Sequence, residues 1–391
     1  NAPQLKSLVA DGTKDDSYYL YDAWTKGDKK LAADKGIMFV TDKGVAVNSE
    51  NFPGDGVFQT ASNADLNADG YLDSYEASKI TSVLYDDVKS WTQQTFDGIE
   101  YFTELRYFRA NAILCANAMT VDLSKNHKLT YIVLEGFFGI TDLDLTNFPD
   151  LYYLYYYGEN TQKVTIGNQA KLRTLKLSCG GKWQKDAPLS ELDLTGCPSL
   201  ENLYVMNTSI QELDLSNCKE LRNIEIQFNG AFRRIKLLEG SSKYQKIDLN
   251  NPSSLEIIHF PESLNLNYLD ATNVNLDALN LSLCPNLTYL SCSGTSSTGI
   301  LDVSNLQKLE KLNCSYCNLR EIVLGPAIST LYCYGQSGEG IARLDLSNSP
   351  YLQRAALGTK EIWNDNAVEY DSEEEKGFLS CSPDTVLDGF L

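Results

Sequence analysis

Histidine is almost missing: His127 and His259 are the only two in 391 residues, and methionine is nearly as scarce, with three. Ser-His-Asp and Cys-His nucleophilic chemistry therefore has little material to work with. Basic residues are short as well. Lys plus Arg total 33 against 52 Asp plus Glu, a formal net charge of −19, so phosphate backbones and anionic lipid would repel the chain and nucleic acid is excluded as a partner class. No apolar run approaches the roughly 20 residues that cross a bilayer. There is no glycine-rich phosphate loop, and no carboxylate pair is singled out by its spacing. No active site is read here, and the chain is expected to be no enzyme. Asn1-Ala2-Pro3-Gln4 carries no basic segment followed by an apolar core, which reads as mature or truncated protein. What is present, 43% hydrophobic and 10% aromatic residues, is ample for a buried core.

Internal repetition organises that content. Leu309-Glu-Lys-Leu312-Asn-Cys314-Ser-Tyr-Cys317-Asn-Leu319 fits the spacing L-x-x-L-x-L-x-x-N/C-x-L. The same phrase recurs with its central apolar anchor at Phe108, Ile132, Leu154, Leu175, Leu203, Ile224, Ile247, Leu269, Leu290, Leu312, Leu331 and Ala355, 19 to 28 residues apart. A second phrase lies between most anchors, as in Leu143-Asp-Leu145, Leu213-Asp-Leu215 and Leu344-Asp-Leu346. Each phrase alternates apolar and polar residues, the period of a half-exposed strand. One winding of about 22 residues cannot enclose its own leucines, so each must stack on the next. Twelve windings at about 4.8 Å predict a body on the order of 50 Å long.

The chain resembles a leucine-rich repeat over roughly 101–365. The expected fold is a leucine-rich-repeat solenoid, a parallel β right-handed coil with few regular helices, behind a small mixed α/β N-terminal cap. The slot that usually carries a laddering Asn holds Cys317, Thr295, Thr208, Asn229, Gly180 or Val274 here, so no continuous Asn ladder is expected. Four segments follow: a hairpin-containing 1–50, with arms at Gly36–Val40 and Val45–Val47; a metal-binding cap at 51–100; about twelve coils at 101–365; and a C-terminal cap at 366–391, in which Gly377–Leu379 and Val386–Leu391 close the stack.

Ten cysteines invite a disulfide reading that their positions oppose. Cys197, Cys218 and Cys284 each follow the first Leu of the second phrase by five residues. Cys292, Cys314 and Cys333 each follow an anchor by two, in three consecutive coils. They read as small buried hydrophobes, whose side chains stack in parallel rather than facing one another. Cys314-Ser-Tyr-Cys317 lacks a second pair to complete a zinc site. Cys381 lies outside this register.

Residues 65–76 read Asp-Leu-Asn-Ala-Asp-Gly-Tyr-Leu-Asp-Ser-Tyr-Glu. Asp65, Asn67 and Asp69 fill the first three oxygen positions of an EF-hand loop. Gly70 takes the sharp turn, Tyr71 offers its carbonyl, Asp73 suits a water-mediated contact and Glu76 a bidentate one. One structural Ca²⁺ is expected, stabilising the cap by linkage. With this hand ahead of repeats rich in L-D-[LV]-S, the chain resembles exported leucine-rich-repeat surface proteins of the Bacteroidales type, and more distantly the internalins. That resemblance implies an extracellular or cell-surface location, with lipid anchoring, and a role in binding macromolecules.

Outward positions lie one before, one after and three after each anchor. Ten of them are tyrosine: Tyr107, Tyr131, Tyr153, Tyr155, Tyr157, Tyr204, Tyr268, Tyr289, Tyr332 and Tyr334. Random placement of the chain's 23 tyrosines would give about two. Tyrosine offers a large rigid area and one hydroxyl at small entropic cost. Coils four, six and seven lack an outward tyrosine, which predicts two patches. The function expected is a non-enzymatic, monomeric surface protein that recognises another protein through this face. A glycan ligand, or a passive adhesin or scaffold role, are the alternatives.

Overall fold

The computed structural model describes residues 44–352, except Asn67, 91–93, Ala116, 182–186, 251–256, 260–264, 275–279, 296–298, Tyr334, 336–340 and 346–348. For Ile257–His259 and Ile341–Asp345 only the backbone is described, as it is for the outlying strands Ser7–Val9, Met38–Val40, Arg354–Ala356, Glu361–Trp363 and Cys381–Asp388. The chain divides into two compact units, Asn1–Asn160 and Thr161–Leu391.

In the first unit, strands Ser82–Tyr85, Tyr107–Asn111, Tyr131–Glu135 and Tyr153–Tyr157 run parallel, each beside the next. Register is set by the anchors: Val83 opposes Phe108, Phe108 opposes Ile132, and Ile132 opposes Leu154. These residues are buried while their neighbours in sequence are exposed or half-exposed, Val133 excepted, as alternation on a pleated strand requires. The sheet begins one strand earlier than the repeat spacing predicts. Ser82-Val-Leu-Tyr85 alternates correctly, but no L-x-L phrase precedes it. Below the strands lies an aromatic core in which Phe96 packs edge-on against Phe108 at 5.9 Å and Phe52 stacks on Phe102 at 6.2 Å.

The expected hairpin at Gly36–Val47 is corrected. Met38–Val40 pairs in parallel with Ser7–Val9, whereas Val45–Ala46 pairs antiparallel with Tyr71–Leu72, so its two arms take different partners. Leu72 is an inward-facing apolar residue next to the turn at Gly70. Burying it draws Val45–Ala46 onto the 65–76 loop instead of back onto Met38–Val40.

In the second unit nine parallel strands follow in chain order: Thr174–Ser178, Asn202–Met206, Asn223–Gln227, Lys246–Asp248, Tyr268–Asp270, Tyr289–Ser291, Lys311–Asn313, Thr330–Tyr332 and Arg354–Ala356. The anchors from Leu175 to Ala355 lie in one column. Glu361–Trp363 then adds antiparallel to Arg354–Ala356, reversing strand direction. Two shorter parallel sheets form from the second phrases, Glu212–Asp214 with Arg234–Lys236 and Ile257–His259, and Ile300–Asp302 with Glu321–Val323, Ile341–Asp345 and Cys381–Asp388.

The leucine three before each anchor carries the core. Leu172, Leu200, Leu221, Leu266, Leu287 and Leu309 are all fully buried, each contributing about 1.5–3 kcal/mol. The amides of Leu172, Leu200, Leu221, Leu287 and Leu309 close a turn on the carbonyl three residues back, as Leu200 does on Cys197 and Leu221 on Cys218. This explains Cys197, Cys218 and Cys284: they share a turn slot with Phe148, Gln169 and Leu306. There the Cys218 thiol reaches the Leu194 carbonyl at 3.8 Å. Where the repeat lengthens, Tyr244 replaces the leucine, fully buried, and its hydroxyl accepts the Leu238 amide at 2.8 Å.

The Asn-ladder slot is filled in pieces. Asn229 Oδ1 accepts from the Thr208 amide at 2.7 Å and hydroxyl at 2.6 Å, and Nδ2 donates to the Val205 carbonyl at 2.9 Å. Farther along, Thr295 Oγ1 donates to Cys317 Sγ at 3.3 Å and that thiol to the Cys292 carbonyl at 3.1 Å. The Thr208, Thr295 and Cys317 substitutes keep a buried polar partner, which is the physical requirement the Asn otherwise meets.

Candidate functional site

Parallel strands in register place equivalent side chains one above another, about 4.8 Å apart. Aromatic residues that share a column must therefore stack. In the first unit Tyr107, Tyr131 and Tyr153 do so, with ring centroids 4.5 and 4.3 Å apart and planes within 10°. In the second, Tyr268 and Tyr289 stack at 4.4 Å and 2°. The outward tyrosines at 155, 157, 204 and 332 are half-buried like the stacked ones, and Tyr334 lies outside the described residues.

The rings are close enough to tune one another. Burial first, then the neighbouring Tyr153 and Tyr107, push the Tyr131 phenol up to about 12. Burial and the Glu159 carboxylate, which accepts the Tyr157 hydroxyl at 2.8 Å, hold Tyr157 at about 12. Both phenols stay protonated, and both remain hydrogen-bond donors at neutral pH.

Surroundings differ between the two units. Beside the first stack lie Tyr155, Val133 and Leu84, the last 54% exposed. Arg109 is paired with Asp86 at 3.0 Å. At the rim beyond the strand ends, Leu114 is 69% exposed and Phe138 packs edge-on against Tyr157 at 5.5 Å. In the second unit the same columns are polar. Asn223 donates to Asn202 at 2.7 Å, and Asn202 to Thr174 at 3.2 Å. Lys176 sits 4.3 Å from the Tyr204 centroid and Lys246 5.1 Å from that of Tyr268. Lys246 also bridges Glu225 and Asp248. Asp270 accepts the Thr272 amide at 3.0 Å and hydroxyl at 2.6 Å, and burial raises its carboxyl above the usual range.

The 65–76 loop lies in the first unit. Helix Asp55–Ala64 leads into it, Gly70 turns at φ +80°, and Leu72 is buried. Asp65 accepts the amides of Asp69 at 3.2 Å and Gly70 at 3.0 Å, and Asp69 accepts that of Tyr71 at 2.9 Å. Asp73 and Glu76 form a capping box on the four-residue helix Ser74–Ala77, and Glu76 Oε1 also takes the Leu66 amide at 2.8 Å. Asn67 lies outside the described residues. Among the described residues, no group of three or more His, Cys, Asp or Glu side chains converges as a metal centre would require. The sequence reading did not anticipate this capping box, although Asp-x-x-Glu is its usual signature.

On the opposite side from the main strands, the Asp of five second phrases closes a short turn. Asp122, Asp144, Asp193, Asp214 and Asp302 each accept the amide two residues on, at 2.8–2.9 Å. Their recurrence is thus turn chemistry. In the first unit two of these turns, at Asp122 and Asp144, flank a cavity of about 450 Å³ floored by Leu134, Leu143 and Phe148.

No family model and no curated protein matches the chain. Among solved structures, it is similar to the functional domain of InlJ from Listeria monocytogenes, described as including a cysteine ladder (20% identity, 80% of this chain, 71% of that one, TM-score 0.45). It is also similar to an internalin, InlF, of Listeria monocytogenes (19% identity, 80% and 91%, TM-score 0.49). A leucine-rich-repeat protein of Leptospira interrogans is a third (15% identity, 67% and 80%, TM-score 0.38).

Proposed function

We propose that the chain is a non-enzymatic binding protein that recognises another protein through the tyrosine-bearing strand face. In this reading it works in the extracellular space or on a bacterial surface, where lipidation would anchor it, and it acts as a monomer. One observation carries the choice of protein over glycan. A sugar ring binds tyrosine by lying on an open ring face. Tyr131 has a ring against both of its faces, and Lys246 covers one face of Tyr268. What the stacks offer outward is ring edges and hydroxyls, the contacts that protein side chains and backbone use.

The experiment compares capture from host and bacterial surface extracts by the native chain, by Tyr155→Ala and Tyr204→Ala, and by Asp144→Asn on the opposite side. Loss of the same captured protein with the tyrosine variants alone supports the reading. Equal capture by all of them contradicts it, and so does a glycan-array signal lost with Tyr155→Ala.

A structural Ca²⁺ in the 65–76 loop belongs to the same proposal. Asp65, Asn67, Asp69, the Tyr71 carbonyl, Asp73 and Glu76 would hold it. The support is the residue order, the left-handed Gly70 and the entering helix. Bound there, the ion supplies no chemistry beyond charge and cross-linking, and stabilises by linkage. Calorimetric titration that gives heat, together with a melting point raised by Ca²⁺ and not in Asp65→Ala, is the expected result. No heat and no shift removes the metal.

A further inference from the structure

The two tyrosine patches present different surroundings, and those of the first specify a partner chemistry. Beside its stack the next column holds Leu84, Arg109, the buried Val133 and Tyr155, and from Tyr155 and Tyr157 the surface leads to the rim residues Phe138 and Leu114. Leu114 and Phe138 stand at equivalent places in consecutive coils, as Ala112 pairs with Glu135 and Gly136 with Tyr157. Gly136 lets those coils touch, since a Cβ there would sit 2.3 Å from the Ile113 backbone. Tyr155, Tyr157, Phe138 and Leu114 make an apolar strip that a chain in water gains nothing from exposing.

Among the described residues, the charges bordering the strip are carboxylates apart from Arg109. Glu135 and Glu159 border it, half-exposed and in no ion pair among the described residues, and Asp87 lies close enough to raise the Cys115 thiol. Among the described residues the cation on this face is Arg109, which Asp86 engages. A partner that covers the strip must therefore bring positive charge to the rim and aliphatic bulk to the strip.

We propose that this surface takes an extended protein segment that alternates arginine or lysine with leucine-like residues. The basic groups meet Glu135 and Glu159, and the aliphatic groups cover Phe138 and Leu114. The proposal rests on the protein-binding reading and narrows it to a basic, aliphatic class of ligand.

The test is calorimetric titration of the full chain with three probes: a capped peptide of three Arg-Leu-Gly repeats, its Glu-Leu-Gly counterpart, and maltopentaose. The basic peptide is expected to bind at least tenfold more tightly than the acidic one, and to weaken as salt rises. It should also weaken at least threefold with Glu135→Gln/Glu159→Gln and at least tenfold with Leu114→Ser/Phe138→Ser, while both variants keep the native circular dichroism and melting point within a few degrees. Equal binding of the two peptides, or no binding of the basic one, overturns the proposal. If the acidic peptide alone binds and is lost with Tyr155→Ala, this inference falls while the protein-binding reading stands. Binding of maltopentaose that disappears with Tyr155→Ala overturns both.

Discussion

The tyrosines of the two units occupy the same register positions and do different work. Around Tyr107, Tyr131 and Tyr153 the next column holds Leu84, Arg109, Val133 and Tyr155, three of the four apolar or aromatic. Around Tyr204, Tyr268 and Tyr289 they hold lysines, amides and carboxylates already bonded to one another. A ring whose polar neighbours satisfy each other gains less by being covered than one set in an apolar strip. The repeat thus fixes where tyrosine can stand, and the residues one coil away decide what it offers.

Removing the common scaffold should break both regions alike. Leu129→Ala in the first unit and Leu221→Ala in the second each empty a fully buried site three residues before an anchor, at a cost of about 2–5 kcal/mol in denaturant unfolding. A cost near zero for either would mean that the leucines do not seal the stack there. Polar ties come next. Asn126 is buried and donates to the Ile99 and Phe102 carbonyls at 2.9 and 3.0 Å, while Asn229 joins Thr208 to Val205. Alanine at either should cost about 1–3 kcal/mol.

The comparison itself is sharpest in binding. Tyr155→Ala should weaken partner affinity at least tenfold, about 1.4 kcal/mol, and Tyr204→Ala distinctly less. Equal losses would erase the distinction between the patches.

The smallest effects are in pH dependence. The Ser216 hydroxyl first, then Lys236, lowers the Asp214 carboxyl to about 2. Its folded value is depressed, so its stabilisation is present above the ordinary carboxylate range and fades as pH falls from about 4 towards 2. Asp270 is raised by burial, so ionising it costs stability, and that cost is relieved as pH falls through its raised value. Unfolding midpoints between pH 2 and 7 should flatten at the acid end in Asp214→Asn. In Asp270→Asn they should rise slightly at neutral pH.

The repeat was legible because strand alternation and leucine spacing repeat over hundreds of residues, and the anchors stand in the columns that spacing assigns, from Phe108 to Ala355. Outward tyrosines could be named for the same reason. What the sequence could not convey was their stacking, which depends on which coil each neighbours, or the covering of their faces by Lys176 and Lys246 from the coils before. The strand Ser82–Tyr85 carried too short a pattern to be assigned to the sheet. Val45–Ala46 looked like half of a hairpin because its partner, Tyr71–Leu72, lies inside a loop whose residues point to a metal. The cysteine slots were recognised as buried, but their turn role, shared by Cys197, Cys218, Phe148 and Gln169, needed the backbone hydrogen bonds.

Hydroxyl-radical footprinting of the protein alone and with its captured partner tests the central claim most directly. The account predicts protection of Tyr155, Tyr157 and the 107–131–153 stack in the complex, while the exposed Tyr152 and Tyr351, 50% and 67% accessible, stay as reactive as before. Protection of Tyr152 or Tyr351 with the strand-face tyrosines unchanged would contradict it.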